Sequence, residues 1–267
     1  MADGLPEFAA TIRSECHRLS TQSGYDLENI CIAAPGLPGP GNLWVDYMPG
    51  RLHGLEKLNW TWLLERDFPV RVINDGQAAL LGEIWKGGAV GARHAVQLTI
   101  GTGVGGAVFS DGRLLRGAIG RAGHIGHTSV DFQGVGDICG MPGSIEDAVG
   151  QVTLHQRSGG EFSAFSELAA GLAAGNPVAQ KVWDLSIRAL AASVAGIINI
   201  IDPEVVLIGG GLIETDLPVL SALGKWMDQF EWRPAGHRVR LEKSRLGQEA
   251  GAYGAAFAAI NSQVLLD

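Results

Sequence analysis

The chain has 267 residues, 46% hydrophobic and 18% charged, with a formal net charge of −8. That is enough for a sizeable core in one large domain or in two modest ones sharing a cleft. The acidic balance without a basic run speaks against a nucleic-acid groove, and the scattered Cys16, Cys31 and Cys139 speak against a disulfide framework.

Residues 1–6 are short and polar, unlike a signal peptide, and the longest apolar stretches meet charges or glycines before membrane-spanning length. A soluble cytoplasmic protein with no membrane partner is the expectation. Phe8, Ile12, Cys16 and Leu19 recur at helical spacing, which predicts a helix over 6–23, stopped at Ser23-Gly24. Residues 30–34 and 70–73 are continuously apolar or nearly so and read as fully buried strands. The first stops at a Pro-Gly-rich loop over 35–41, and the second ends on Asn74-Asp75 before a helix over 77–85. A short helix is predicted over 60–66. Strand, polar tip, helix is the pattern of an α/β layer architecture, in which ligands gather at strand tips.

From residue 95 the pattern changes to hairpins, with strands over 95–99, 105–109 and 114–116. The joining stretch Gly101-Thr102-Gly103-Val104-Gly105-Gly106 has four glycines and a threonine in six positions. Bare amides in such a turn can donate to phosphate oxygens, although an ordinary glycine-rich hairpin has the same composition. Residues 121–129 carry two histidines, 131–143 form a glycine-rich loop, and helix follows from Ser144. A long helix spans 177–201 with Val182, Leu185, Leu190, Val194 and Ile198 as its apolar face. Residues 204–208 form a strand running into Gly209-Gly210-Gly211, and a small-residue helix over 250–260 closes the chain.

Taken in order, these motifs resemble the repressor–open-reading-frame–kinase (ROK) family of sugar kinases, over nearly the whole chain. The resemblance implies an α/β, actin/hexokinase-like (ribonuclease H-like) two-lobed fold. Residues 1–93, joined by a C-terminal helix over 249–267, would form the N-terminal sugar and phosphate lobe. Residues 94–248 would form the nucleotide-binding and sugar-contacting lobe. Residue by residue, Gly36 lies in a loop similar to the family's sugar-side Pro-Gly loop. Asn74 matches an asparagine that holds sugar hydroxyls, and Asp75 the catalytic base. Gly101, Thr102, Gly103, Gly105 and Gly106 match a phosphate-binding turn, and Gly209, Gly210 and Gly211 the segment bordering adenosine. His124, His127 and Glu146 fall at sugar-contacting positions. The residue types suit the chemistry, since transfer of a phosphoryl group to an alcohol needs an aligned hydroxyl, an acceptor for its proton and donors to the phosphate charge. For Asp75 the competing role is helix N-cap.

The sequence departs from the family pattern at three places. The family's Asp-x-Gly-Gly-Thr motif, which helps hold phosphate and Mg²⁺, occurs nowhere in these residues, so the N-terminal lobe reads as incomplete and its sheet as smaller than its buried strands suggest. The family's structural zinc uses a histidine and three cysteines, but here the segment reads Asp137-Ile138-Cys139-Gly140-Met141-Pro142-Gly143-Ser144. His127, Cys139 and Asp137 remain as donors, the metal is expected to be lost, and Cys139 is expected to be a small buried residue. His124 replaces a glutamate that accepts from two sugar hydroxyls, whereas a neutral imidazole accepts one bond and donates one. A role in sugar contact and no role at all both remain open for it.

The expected activity is ATP- and Mg²⁺-dependent phosphorylation of a hexose or N-acetylhexosamine at the 6-hydroxyl, and a chain that truly lacked the missing strands would be inactive. The alternative is a non-catalytic sugar-binding or regulatory homologue. A small-molecule sugar and a nucleotide are the expected partners, and family analogy allows a homodimer.

Overall fold

The computed structural model describes residues 6–48 and 52–265, so the reading of the first five residues and the last two of the 249–267 segment lie outside the described residues. Helix α1 (Glu7–Ser23) stops where Gly24 takes the left-handed conformation (φ 73°) and its amide returns to the Ser20 carbonyl. Phe8, Ile12 and Cys16 pack on a cluster containing Trp60, Leu63, Val70 and Val72, while Leu19 is exposed. The apolar stripe therefore ends one turn before the helix does.

Strands β1 (Cys31–Ala34) and β4 (Arg71–Asn74) pair in parallel, Cys31 opposite Arg71 and Ala34 opposite Asn74. Between them lie β2 (Leu37–Pro38) and β3 (Val45–Tyr47), an antiparallel pair, and α2 (Trp60–Leu63), shorter than predicted. The inner residues of β4 are buried, but Ala33 of β1 is exposed and Cys31 and Ile32 are half-buried. Full burial is thus corrected for both strands, for most of β1 and, in β4, at the half-buried Arg71. Helix α3 (Asp75–Lys86) follows β4 with no intervening turn.

The larger sheet has the order β7-β6-β5-β8-β9, built from β5 (Ala95–Ile100), β6 (Val104–Ser110), β7 (Arg113–Leu114), β8 (Val205–Gly209) and β9 (Arg240–Lys243). β5 is central, antiparallel to β6 and parallel to β8. Parallel neighbours require crossovers. These are α4 (Ile145–Val149), α5 (Leu154–Arg157), α6 (Phe165–Ala173) and α7 (Pro177–Ile201) before β8, and α8 (Val219–Phe230) before β9. The alternation of strand side chains sends Val96, Leu98, Ile100, Val206 and Ile208 into one cluster with α7 and α8. Ala95, Ala107, Phe109, Val205 and Leu207 point to the opposite cluster with α3 and α9 (Ala250–Ile260).

Asn176 caps α7 by accepting from the Val178 and Ala179 amides, with Pro177 at its first position, and Asp202 closes it in the left-handed region. Val182, Leu190, Val194 and Ile198 are buried as predicted, but Leu185 is 56% exposed, and Ile187 and Ala191 take its place on the inner face. By length and composition α7 could cross a membrane, which corrects the expectation that no stretch qualifies; its inner face packs into the core. Helices α3 and α9 touch through glycines. A β-carbon on Gly254 would overlap the Ala78 carbonyl oxygen, and one on Gly82 the Ala250 carbonyl.

Candidate active site

Asn74 organises the tip of β4. Its Oδ1 accepts from the Gly76 and Gln77 amides at 2.9 and 3.4 Å, and Gln77 returns a bond to the Asn74 amide, a complete capping box. Its Nδ2 donates to the Gly36 carbonyl at 3.1 Å, which ties the Pro-Gly loop to the helix start. Gly36 sits at φ 96°, and a β-carbon there would lie 2.6 Å from Cβ of Met48, so glycine is required by both conformation and space. The capping role considered for Asp75 belongs to Asn74. Asp75 occupies the first helical position, exposed, and its carboxylate accepts only from the adjoining Gly76 amide (2.8 Å) among the described residues.

The glycine-rich hairpin is shorter than its composition suggests. Gly105 and Gly106 are inside β6, opposite Thr99 and Leu98, so the turn itself is Gly101-Thr102-Gly103. Helix α4 and the residues after it hold this turn from one side. The Gln151 and Val152 amides donate to the Gly101 and Thr102 carbonyls, each at 2.9 Å, and Glu146 Oε2 accepts from the Val104 amide at 2.9 Å. The Gly101 amide bonds to the Gly103 carbonyl at 2.9 Å. The Thr102 and Gly103 amides and the Thr102 hydroxyl make no hydrogen bond among the described residues. They are three donors at one exposed tip, the arrangement an anion can use.

Gly106 has a different reason to be glycine. A β-carbon on it would lie 2.7 Å from the Gly123 carbonyl, and one on Gly76 would lie 3.4 Å from the Gly106 carbonyl. The start of α3, the strand β6 and the segment carrying His124 are therefore in close succession. On the other side of β5, Gly209 ends β8 opposite Thr99. Gly210 (φ 85°) packs so tightly that a β-carbon would be 2.5 Å from the Ile100 carbonyl, which also accepts the Leu212 amide at 3.0 Å. Gly211 faces open space, so residues 209–211 lie beside the root of the hairpin.

Burial pushes the His124 imidazole below its ordinary pKa, His127 adds to that, and Asp75 opposes it, so His124 lies within electrostatic reach of both. His127 Nδ1 is 3.1 Å from Asp137 Oδ2, and its Nε2 is 3.7 Å from Cys139 Sγ. The Asp137 side chain has no exposed surface, and Oδ1 accepts from the Cys139 and Met141 amides at 2.8 and 2.9 Å. Burial opposes ionisation of Asp137, yet the Met141 amide, His127, the Cys139 amide and the Ser144 hydroxyl together hold its pKa below the usual carboxylate value. Ser144 is the N-cap of α4, accepting from the Asp147 amide at 3.2 Å. Cys139 is exposed, which corrects the expectation of a buried thiol.

His127, Asp137 and Cys139 bring one ligand atom each within 4.8 Å of one another. Three donors are one short of the four that close a structural zinc site. Asp137 Oδ1 is occupied by two amides, and the hydroxyl of Ser144, where the family pattern has its third cysteine, already accepts from the Asp147 amide as a helix cap.

One positioning residue escapes a reading of the sequence. Arg116 donates to the Gly39 and Pro38 carbonyls at 2.5 and 3.3 Å, joining the Pro-Gly loop to the segment after β7. No local spacing announces a contact between residues 77 positions apart. Asp137, by contrast, is named by the sequence as a donor beside His127 and Cys139, and the structure brings the three together.

The ROK family model matches residues 11–262. A glucokinase of Halalkalibacterium halodurans is 28% identical over 263 residues, covering 87% of this chain and 77% of that protein. An N-acetylmannosamine kinase of Citrobacter koseri is 33% identical over 238 residues, covering 87% and 79%. Among solved structures, a ROK hexokinase from Thermus thermophilus superposes with a TM-score of 0.81 at 28% identity, over 96% of this chain and 86% of that one. The chain belongs to the ROK family, with the α/β, actin-like fold of its sugar kinases.

Proposed function

We propose that this chain is a sugar kinase that transfers the terminal phosphoryl group of MgATP to the 6-hydroxyl of a hexose or N-acetylhexosamine. The observation that carries the reading is the division of labour at the β4 tip. Asn74 takes the structural work of capping α3, and Asp75 next to it is exposed with only its neighbour's amide as partner. A carboxylate so placed can accept the hydroxyl proton as the O–P bond forms. This reading assigns Gly36, Asn74, His124, His127 and Glu146 to the sugar. The free amides of Thr102 and Gly103 offer donors to phosphate, and Gly209–Gly211 a surface for the nucleoside. Kinase names among the relatives, a glucokinase and an N-acetylmannosamine kinase, support this chemistry.

A second reading, a sugar-binding homologue without phosphoryl transfer, is favoured by one observation: a histidine whose pKa is held low stands at position 124, where the family pattern has a carboxylate. The experiment is ADP release by the purified protein with MgATP and glucose, N-acetylglucosamine or N-acetylmannosamine, alongside Asp75→Asn. Sugar-dependent release that the variant loses supports the kinase. Calorimetric binding of sugar without any release supports the second reading.

A further inference from the structure

We infer that the carboxylate of Asp137 closes the segment between His127 and α4 without a metal, and is a positioning residue for His127 and Glu146. This goes beyond the kinase reading and does not depend on it. The segment runs out from Thr128 and returns to Ile145, where the Ile145 amide bonds to the Thr128 carbonyl at 2.9 Å. Farther out, the Val130 amide bonds to the Gly143 carbonyl at 2.9 Å, the Gly143 amide to the Val135 carbonyl at 2.9 Å, and the Asp137 amide to the Met141 carbonyl at 2.9 Å. Such a segment has little apolar filling of its own, since Phe132, Val135 and Ile138 all point to solvent. What lies at its centre is a single fully shielded carboxylate.

That carboxylate reaches both ends of the segment. Oδ1 takes two amides from the outer turn, from Cys139 and Met141, and Oδ2 takes the His127 imidazole at the segment's start. The Ser144 hydroxyl at its end lies close enough to add to the stabilisation of the charged form, while also capping α4. Charged acceptors make the stronger hydrogen bonds, and a shielded charge left without donors is costly, so the four contacts act together. The result is that His127 is held in one orientation by its Nδ1, and the first turn of α4 is held so that Glu146 faces Val104. A cation is not needed for that closure, because Oδ1 is taken by two amides and Oδ2 by His127.

The test uses the intact protein and readouts that do not involve phosphoryl transfer, so its failure is separable from failure of the kinase reading. Melting is followed with EDTA, with added zinc and with neither, and zinc content is measured after purification without chelator. The expected result is an unchanged melting temperature in all three and far less than one zinc per chain. Native-state proteolysis within 131–143 should be about tenfold faster or more in Asp137→Ala, and less affected in Asp137→Asn, which keeps one acceptor oxygen. The ring-nitrogen and ring-proton chemical shifts of His127, followed by NMR at one fixed pH, should move in Asp137→Asn, because the partner of Nδ1 has changed. Zinc near one per chain, with chelation opening the segment, overturns the inference, as does wild-type cleavage in both variants. If Asp137→Ala does not fold, the chelator series and Asp137→Asn decide.

Discussion

Asn74 and Gly36 are joined by a 3.1 Å hydrogen bond from the Asn74 amide group to the Gly36 carbonyl, across 38 positions of sequence. The same side chain caps α3, so one residue sets both the helix start and the loop that faces it. Replacing it removes two functions at once. Asn74→Ala is expected to cost about 1–2 kcal/mol of stability through the lost cap, together with loss of sugar affinity. Chemical denaturation and sugar titration of the variant check both.

Asp75 should behave in the opposite way. It is exposed, and its only partner among the described residues is the next amide in the chain. Asp75→Asn is expected to leave the denaturation midpoint within experimental scatter while lowering turnover by about 10²–10⁴-fold. The contrast between neighbours is the informative part. A variant of Asp75 that melts early would return the residue to a structural role.

Much of this tip was legible in the sequence, since a buried strand, a polar dipeptide and an apolar helix follow one another without interruption. Which of Asn74 and Asp75 caps the helix was not, because both residue types cap and the choice depends on the exact helix start. The hairpin was legible as a hairpin, with Gly105 and Gly106 already inside the strand expected over 105–109; its composition does not tell why residue 106 must be glycine, which is that the Gly123 carbonyl passes beside it. Periodicity found α7 but assigned Leu185 inward, where the 3.6-residue repeat drifts and Ile187 faces the sheet instead. A contact such as Arg116 to Gly39 is set by tertiary neighbours that no local pattern encodes, whereas the grouping of His127, Asp137 and Cys139 was legible as a remnant ligand set.

Glu146 ties the two halves of the site together. Its Oε2 holds the Val104 amide at 2.9 Å, and a β-carbon on Gly103 would overlap that same oxygen. Glu146→Ala frees the Val104 amide and loosens the turn, so kcat/KM for sugar should fall about tenfold or more, as expected for a charge-assisted bond. Glu146→Gln keeps one acceptor and should lose less. Equal losses in the two variants would show that charge, and not the bond to Val104, matters there.

His124 makes stability depend on pH in a stated direction. Burial first, and His127 second, hold its folded pKa below the 6.5 of an unperturbed histidine, with Asp75 opposing. Below pH 6.5 the unfolded chain therefore binds the proton more readily than the folded one. The contribution of this site is intact above that pH and is lost as pH falls toward the folded pKa. Melting curves of the wild type and His124→Gln between about pH 7.5 and pH 5 should converge or cross on the acid side, the variant losing less. Parallel curves would remove His124 from the pH response.

The contact between α3 and α9 joins close glycine packing to a buried carboxylate. Glu83 on α3 is completely buried, and its two oxygens accept the Gly88 amide at 2.6 Å and the Arg245 and Leu246 amides at 2.8 and 2.9 Å. This carboxylate fixes the loop before α9, and α9 then lies against α3 through Gly82 and Gly254. Removing the acceptor leaves three amides without a partner in a site closed to water. Glu83→Ala should cost about 3 kcal/mol or more, since a buried group deprived of its partner loses its full desolvation cost. Gly254→Ala acts on the same contact from the other helix. Its new methyl overlaps the Ala78 carbonyl, a backbone atom that cannot rotate aside, so a cost of about 3 kcal/mol is expected from overpacking. Because the two residues support one helix pair, the double variant should lose less than the sum, which a double-mutant cycle in urea measures. Strict additivity would mean that the Glu83 loop and the glycine contact hold α9 independently.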